Sequence, residues 1–394
     1  MKLHQKINQF FWQVFSVFLI LIFILIHLAC PKPPSDNIDC GTHQVEVNGN
    51  CECEEGYHWN EDQTKCLMDT TSHNFTWVID TLGDYGSYLN DVAIIDENNI
   101  WVVGNIETDS GEYNAAHWDG IDWDFLGLGS NTLNLNSIYY FSENDIWVCS
   151  GIPRHWNGQE WIRYNLWDMG VLSPNEGGVS KLWGSSSDNI YFAGGNGSIV
   201  HYDGIIFTKM ESGIEESIID IWGLDENHIW AVTHKNDGSG IINEVLFYDG
   251  NVWSIIHEKT NDNWPPTDYT KPSGTFNSVW AYEDTVYISC AGLYKESIHT
   301  GEGVLVPLVD MHWQLGWGTG NVRGINYNDI VVTTSFGSEI SHYNGKDWKF
   351  YEDLNAFDIH DFITTAGLAI KNDMIVIVGE DLTTSKAMVY RGYR

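Results

Sequence analysis

The sequence predicts an all-β chain of repeated four-stranded antiparallel sheets, on three observations. First, its 394 residues include 38 Gly, 19 Trp and 19 Tyr but only 9 Pro, a balance suited to many short strands joined by tight turns. Second, a polar turn followed by an apolar strand recurs seven times after residue 75. Third, a hairpin signature of an aromatic, then Asp or Asn, then Gly follows it in five copies. At 43% hydrophobic and 19% charged, the chain can bury a large core and is not a disordered polymer. Its 54 acids against 19 Lys and Arg give a net charge of −35. That charge repels phosphate backbones, which excludes non-specific binding to nucleic acid or anionic lipid.

The seven copies open at Glu97, Glu143, Ser187, Glu226, Glu283, Tyr327 and Lys371, 39 to 46 residues apart with one interval of 57. Two of them read Glu97-Asn98-Asn99-Ile100-Trp101 and Glu226-Asn227-His228-Ile229-Trp230. A short strand precedes each turn, as in Lys181-Leu182-Trp183-Gly184 and Asp220-Ile221-Trp222-Gly223. The hairpin signature is Trp118-Asp119-Gly120 with Trp123, Trp156-Asn157-Gly158 with Trp161, Tyr202-Asp203-Gly204 with Phe207, Tyr248-Asp249-Gly250 with Trp253, and Tyr343-Asn344-Gly345 with Trp348. Asp-Gly and Asn-Gly supply the two positive φ values of a two-residue hairpin turn. Four strands per repeat, at a period of about 40 residues, predict a seven-bladed β-propeller of four-stranded antiparallel blades.

The last copy, 361–394, has room for three strands, and Phe75-Thr76-Trp77-Val78-Ile79-Asp80 reads as a missing fourth. Residues 75–394 are therefore expected to form the propeller, with 75–82 as the closing strand that removes two exposed edges. This stretch resembles bacterial surface and periplasmic propellers with Trp-Gly and Tyr-Asp-Gly-x-x-Trp repeats. The resemblance implies the fold and is nearly silent on activity.

Ahead of the propeller lie three further segments. Residues 1–29 combine Lys2 and Lys6, without an acid, with the nearly wholly apolar run Phe10 to Ala29, the layout of an export signal. Twenty apolar residues also suffice to span a bilayer uncleaved, so signal peptide and membrane anchor both stay open. Leu28-Ala29-Cys30 resembles a bacterial lipoprotein signal, which implies acylation of Cys30 and an exported, membrane-anchored protein at the outer membrane or cell surface. Residues 30–39, with Pro31, Pro33 and Pro34, read as an extended tether.

Residues 40–66 hold Cys40, Cys51, Cys53 and Cys66 in a stretch too short for its own core, which in an exported chain predicts disulfides. Zinc is the competing arrangement. The run Cys51-Glu52-Cys53-Glu54-Glu55-Gly56-Tyr57, closed by Cys66, resembles the C-terminal half of an EGF-like module. That resemblance implies pairing of Cys53 with Cys66, leaving Cys40 with Cys51, and a spacer role. Cys149 and Cys290 fall in apolar strand patterns and read as buried small hydrophobes.

Repetition filters the functional candidates, because a residue recurring in most blades serves the blade, whereas catalysis needs one copy of each role. His117, His155, His201 and His342 all precede the hairpin aromatic, so they are read as structural rather than as metal ligands. In a four-stranded blade, the turns after the first and third strands lie on one face of the disc. The connections after the second and fourth lie on the other, and that set carries every insertion: Asn105 to Asn114, Asn165 to Gly178, His234 to Asn243, Glu258 to Thr275, Ala291 to Gly303 and Gln314 to Gly320. Long loops on a rigid scaffold concentrate binding residues.

These insertions carry Trp167, Trp264, Tyr269, Tyr294 and Trp317, with Asp168, Asp262 and Asp268 beside some of them, a set suited to sugar stacking or a protein hot spot. The alternative is that the rings pack their own loops. The expected function is a membrane-anchored binding module holding a protein or glycan, with Trp167, Asp168, Trp264, Tyr269, Tyr294 and Trp317 as ligand-binding residues. A polysaccharide lyase or hydrolase in the central funnel, or an envelope scaffold, is the alternative. His234, His299 and Asp310 are the non-repeated polar residues such an enzyme would draw on. No catalytic constellation, metal or cofactor is expected.

Overall fold

The computed structural model describes residues 40–59, 63–128, 134–236, 241–260, 271–299, 303–305, 319–334, 340–351 and 363–394. The segments read as signal or anchor and as tether, Cys30 included, lie outside them. Two compact units divide between Met68 and Asp69.

In the first unit, Gln44–Val47 pairs with Asn50–Cys53, and Tyr57–Trp59 with Cys66–Met68. Asn48 and Gly49, between the first pair, have φ of 53° and 83°, the two positive values that a two-residue hairpin turn demands. Disulfides join Cys40 to Cys51 and Cys53 to Cys66.

The second unit consists of seven antiparallel sheets, and it is a seven-bladed propeller. Blades 1 to 3 are Tyr88–Asp96 to Trp123–Leu126, Ser137–Ser142 to Trp161–Arg163, and Val179–Ser186 to Phe207–Met210. Blade 4 runs from Ile218–Asp225 to Trp253–Thr260, with the extra strand Lys235–Asn236. Blades 5 and 6 are Ser278–Tyr282 to Gly303–Leu305 and Thr319–Asn326 to Trp348–Tyr351. Blade 7 takes three strands, Ile363–Lys371, Met374–Asp381 and Lys386–Tyr393, from the end of the chain, and a fourth, Thr76–Leu82, from its beginning. Within this last pair the register runs from Ala387 opposite Leu82 to Tyr393 opposite Thr76.

Both faces of a blade are buried, so its apolar residues must meet those of two neighbours. Seven core clusters result among the described residues, one at each seam of the ring. The repeated Trp-Gly pair has a packing cause: a Cβ on Gly223 would stand 2.5 Å from the Trp183 ring of the preceding blade, and one on Gly324 would stand 2.5 Å from Trp280. Glycine leaves the room that the neighbouring indole fills. Trp147, Trp230 and Trp280 are at most 2% exposed, and truncating such a ring to Ala costs on the order of 3–5 kcal/mol. Cys149 and Cys290 are buried and unbridged.

The repeated histidines cross-link the strands of their own blades. The Nε2–H of His117, His155, His201 and His342 donates to Asn99, Asp145, Asn189 and Asp329 at 2.7–2.9 Å. Each acceptor opens the second strand of its blade. His117, His155 and His201 also stack on Trp101, Trp147 and Tyr191. Burial pushes His117, His201 and His342 below the usual imidazole value, which favours the neutral donor that this bond uses.

The five propeller hairpins with Asp-Gly or Asn-Gly are not two-residue turns. Trp118 pairs with Trp123, so four residues connect the strands, and of Asp119 and Gly120 only the glycine has positive φ. The side chain of Asp119 accepts from the N–H of Ile121 and Asp122 at 2.8 and 2.9 Å, and this bond replaces the second left-handed residue. The same pair of bonds recurs at Asn157, Asp203, Asp249 and Asn344.

Those N–H donors, from Asp122, Ile206 and Val252 above all, hold the carboxyls of Asp119, Asp203 and Asp249 below the ordinary aspartate value. A carboxyl lowered in the folded state contributes stability that is complete above its unfolded value of about 4 and is lost as pH falls through the folded one. The triple variant Asp119→Asn, Asp203→Asn, Asp249→Asn keeps both bonds, as Asn157 and Asn344 do, without titrating. Its melting temperature should therefore fall less steeply on acidification than that of the wild type, and an unchanged acid profile would contradict this role for the turns.

Candidate functional site

Strand direction places the connections after the second and fourth strands on one face of the ring, the loop face. Three insertions expected there as irregular loops are largely strand instead. Asn105 to Asn114 is a hairpin extension in which Ile106 pairs with Tyr113 and Thr108 with Gly111. His234 to Asn243 holds Lys235–Asn236 and the start of Ile241–Tyr248, and Ala291 to Gly303 holds Leu293–Ser297. Alternating side chains with partners on a neighbouring strand favour extending the ladder over leaving backbone groups unpaired.

Asn165 to Gly178 is a true loop, and it is ordered from within. The Asn165 amide donates to Asp168 at 2.6 Å and its oxygen accepts from the Trp167 N–H at 3.2 Å. Leu166 and Leu172 are buried between blades 2 and 3. The Trp167 indole N–H donates to the Glu176 carbonyl at 3.3 Å, and a Cβ on Gly178 would touch the ring at 2.9 Å. The Lys209 ammonium, with the Ser173 N–H, holds the Glu176 carboxyl at about 2. Trp167 therefore packs its own loop, while Asp168 and Met169 face solvent.

Tyr294, expected in an exposed loop, lies in strand Leu293–Ser297, and its ring is fully buried between blades 4 and 5. Apolar neighbours claimed it for the core. Trp264, Tyr269 and Trp317, with Asp262, Asp268 and Asp310, lie outside the described residues. His234 bonds Asn243 at 2.8 Å and His299 bonds Asp284 at 2.8 Å, and neither joins a second such residue across the funnel. Among the described residues no group of three His, Cys, Asp or Glu converges.

What the structure adds is a polar collar around a central cavity of about 270 Å³, lined by the first strands of six blades. Register irregularities precede Asp91, Lys181 and Asp220, and such bulges re-aim side chains. Asp91 accepts from the Ser137 hydroxyl at 2.7 Å and the Ile138 N–H at 3.0 Å on the next blade. Asp220 accepts from the Ser278 hydroxyl at 2.6 Å and the Val279 N–H at 3.0 Å in the same way.

Arg323, from blade 6, spans to blade 4 with two bonds to Asp220, at 3.0 and 3.1 Å, and its guanidinium lies 4.9 Å from the Trp222 ring centre. Burial alone would raise the Asp220 carboxyl, but the charge and bonds of Arg323, with Lys181 behind, outweigh it and leave the group lowered. These contacts join first strands to one another, and of the cations lining the cavity Arg323 is ion-paired, whereas Lys181 and Lys371 have no ion pair among the described residues. The collar binds blades together and can hold a polar group, and its Ser137 and Ser278 hydroxyls are engaged with Asp91 and Asp220 in these inter-blade bonds. Sequence reading missed it because Asp220 and Arg323 are 103 positions apart and the arginine departs from the repeat in one blade.

No family model matches the chain, and no curated protein does. Solved structures do. A YCF48 bound to D1 peptide is 14% identical over 82% of this chain and 96% of its own, at a TM-score of 0.57. YCF48 from Cyanidioschyzon merolae is 12% identical over 79% and 98%, at 0.53. The WD40 β-propeller domain of Doa1 is 12% identical over 82% and 98%, at 0.52. At these identities the likeness is one of fold.

Replacing Arg323 with Met strands Asp220 in the interior. The loss should be about 3–5 kcal/mol at neutral pH, the cost of breaking a buried pair from one side, read from urea unfolding. The deficit should narrow as pH falls through the carboxylate range and Asp220 takes up a proton. A deficit under about 1 kcal/mol, the scale of an exposed pair, would show that the pair is solvated.

Proposed function

We propose that this chain is a membrane-tethered, extracytoplasmic, protein-binding propeller that holds its partner on the loop face. The observation that carries the reading is the asymmetry of the disc. In five blades its turn face repeats the same short, self-satisfied connection, whereas its loop face differs from blade to blade and displays an internally ordered loop between blades 2 and 3. Protein is favoured over glycan because two of the rings suited to sugar stacking, Trp167 and Tyr294, are engaged in packing. YCF48 bound to D1 peptide gives the precedent of a propeller of this fold holding a polypeptide. Tethering rests on the N-terminal reading, by acylated Cys30 or by the apolar run before it, with the propeller on the outer side of the membrane.

A photo-reactive residue at position 168, on the loop face, should yield discrete protein adducts in intact cells of the source. One at position 205, on the turn face where Ile205 is 86% exposed, should not. Equal adducts from both positions, or none from either, would contradict the reading. In the same cells, labelled fatty acid on the wild type but not on Cys30→Ser would select acylation over the uncleaved anchor.

A further inference from the structure

The chain has five arginines. Three have carboxylate partners: Arg323 on Asp220, Arg391 on Asp80, and Arg394 on Asp329 and Asp373. The other two, Arg154 and Arg163, stand directly opposite each other on the third and fourth strands of blade 2. Neither side chain has a hydrogen bond or an ion pair among the described residues. Arg154 is 1% exposed, and its Nε and Nη1 are buried without a partner.

A shortage of acids is not the cause, with 54 of them in the chain. Like charges facing each other across a strand pair repel, and burial together with Arg163 pushes the Arg154 guanidinium below its ordinary value. Arginine does not shed its proton in compensation, so the fold keeps an uncompensated buried cation beside a second one.

Their position points to a use. Arg163 ends its strand and Tyr164 begins the connection on the loop face, its N–H donating to the Pro153 carbonyl at 3.0 Å. In register, Arg154 pairs with Val148, which belongs to the core between blades 1 and 2. The two arginines thus lie on one side of the blade, the side that faces that seam.

We propose that Arg154 and Arg163 form an anion site at the seam of blades 1 and 2 that takes a carboxylate group. A guanidinium presents planar, forked donors that match a carboxylate bidentately. The −35 net charge opposes approach by polyanions and leaves a singly charged group as the fitting occupant. That group belongs either to a small free acid or to a polypeptide chain end, and the site stands independently of the protein-binding reading.

The test is thermal melting of the full chain at neutral pH and constant ionic strength, with sodium acetate replacing sodium chloride. Acetate should raise the melting temperature of the wild type by a few degrees, and less in Arg163→Gln. In Arg154→Met the rise should vanish, and in chloride this variant should melt at or above the wild type, because an unpaired buried charge has become apolar. Should Arg154→Met fail to fold, Arg163→Gln, altered at an exposed strand end, still reads the site.

A short alanine peptide with a free C-terminus separates the sources. A rise with this peptide, but not with its C-terminal amide, assigns the site to polypeptide ends, and a rise with acetate alone assigns it to a small free acid. The proposal is overturned if acetate gives no rise over chloride, if the rise survives unchanged in both variants, or if sulfate stabilises as strongly through the same arginines.

Discussion

A ring of blades depends on the pairing of its two ends. Blade 7 is complete only when Thr76–Leu82 adds to Lys386–Tyr393, and without that strand the ring would keep two open edges and an unfinished seam on either side. The closure is reinforced chemically. Arg391 bonds Asp80 of the closing strand at 2.7 Å and lies 3.8 Å from the Trp118 ring centre in blade 1, so one buried cation ties both ends of the propeller to its first blade. The core clusters that blade 7 shares with blades 6 and 1 draw on the same strands.

Closure turns a row of sheets into a disc with two unlike faces. On the turn face, five blades satisfy their own backbone through an Asp or Asn side chain, and in four of them a histidine pins the third strand to the second. Around the central cavity, the collar of Asp91, Asp220 and Arg323 couples first strands across blades. The connections beyond it are then free to differ. A rigid rim with divergent loops is a physical basis for selective binding, since ordering costs are met before the partner arrives.

Much of the fold was legible because the repeat states it seven times: period and strand number follow from residues that recur, and the ring-closing segment from the strand that the last copy lacks. The hairpin geometry was not, because Asp-Gly satisfies two turn types and the choice rests on a side-chain bond that the dipeptide does not reveal. Tyr294 was misplaced because an insertion between repeats looks like a loop until its alternation finds a neighbouring strand. The polar collar and the Arg154–Arg163 pair were illegible for another reason. Each is built from single departures from the repeat, distant in sequence or unremarkable on a strand, and their meaning lies in burial and in missing partners.

Hydrogen exchange of the backbone amides, read segment by segment in the full chain, tests the closure most directly. Thr76–Leu82 and Lys386–Tyr393 should exchange together, as slowly as the inner strands of blade 1, because one cooperative unit contains them. Fast exchange of 76–82 while the other blades stay protected would show that the ring stands without its N-terminal strand, and would contradict closure as the constraint on which the fold depends.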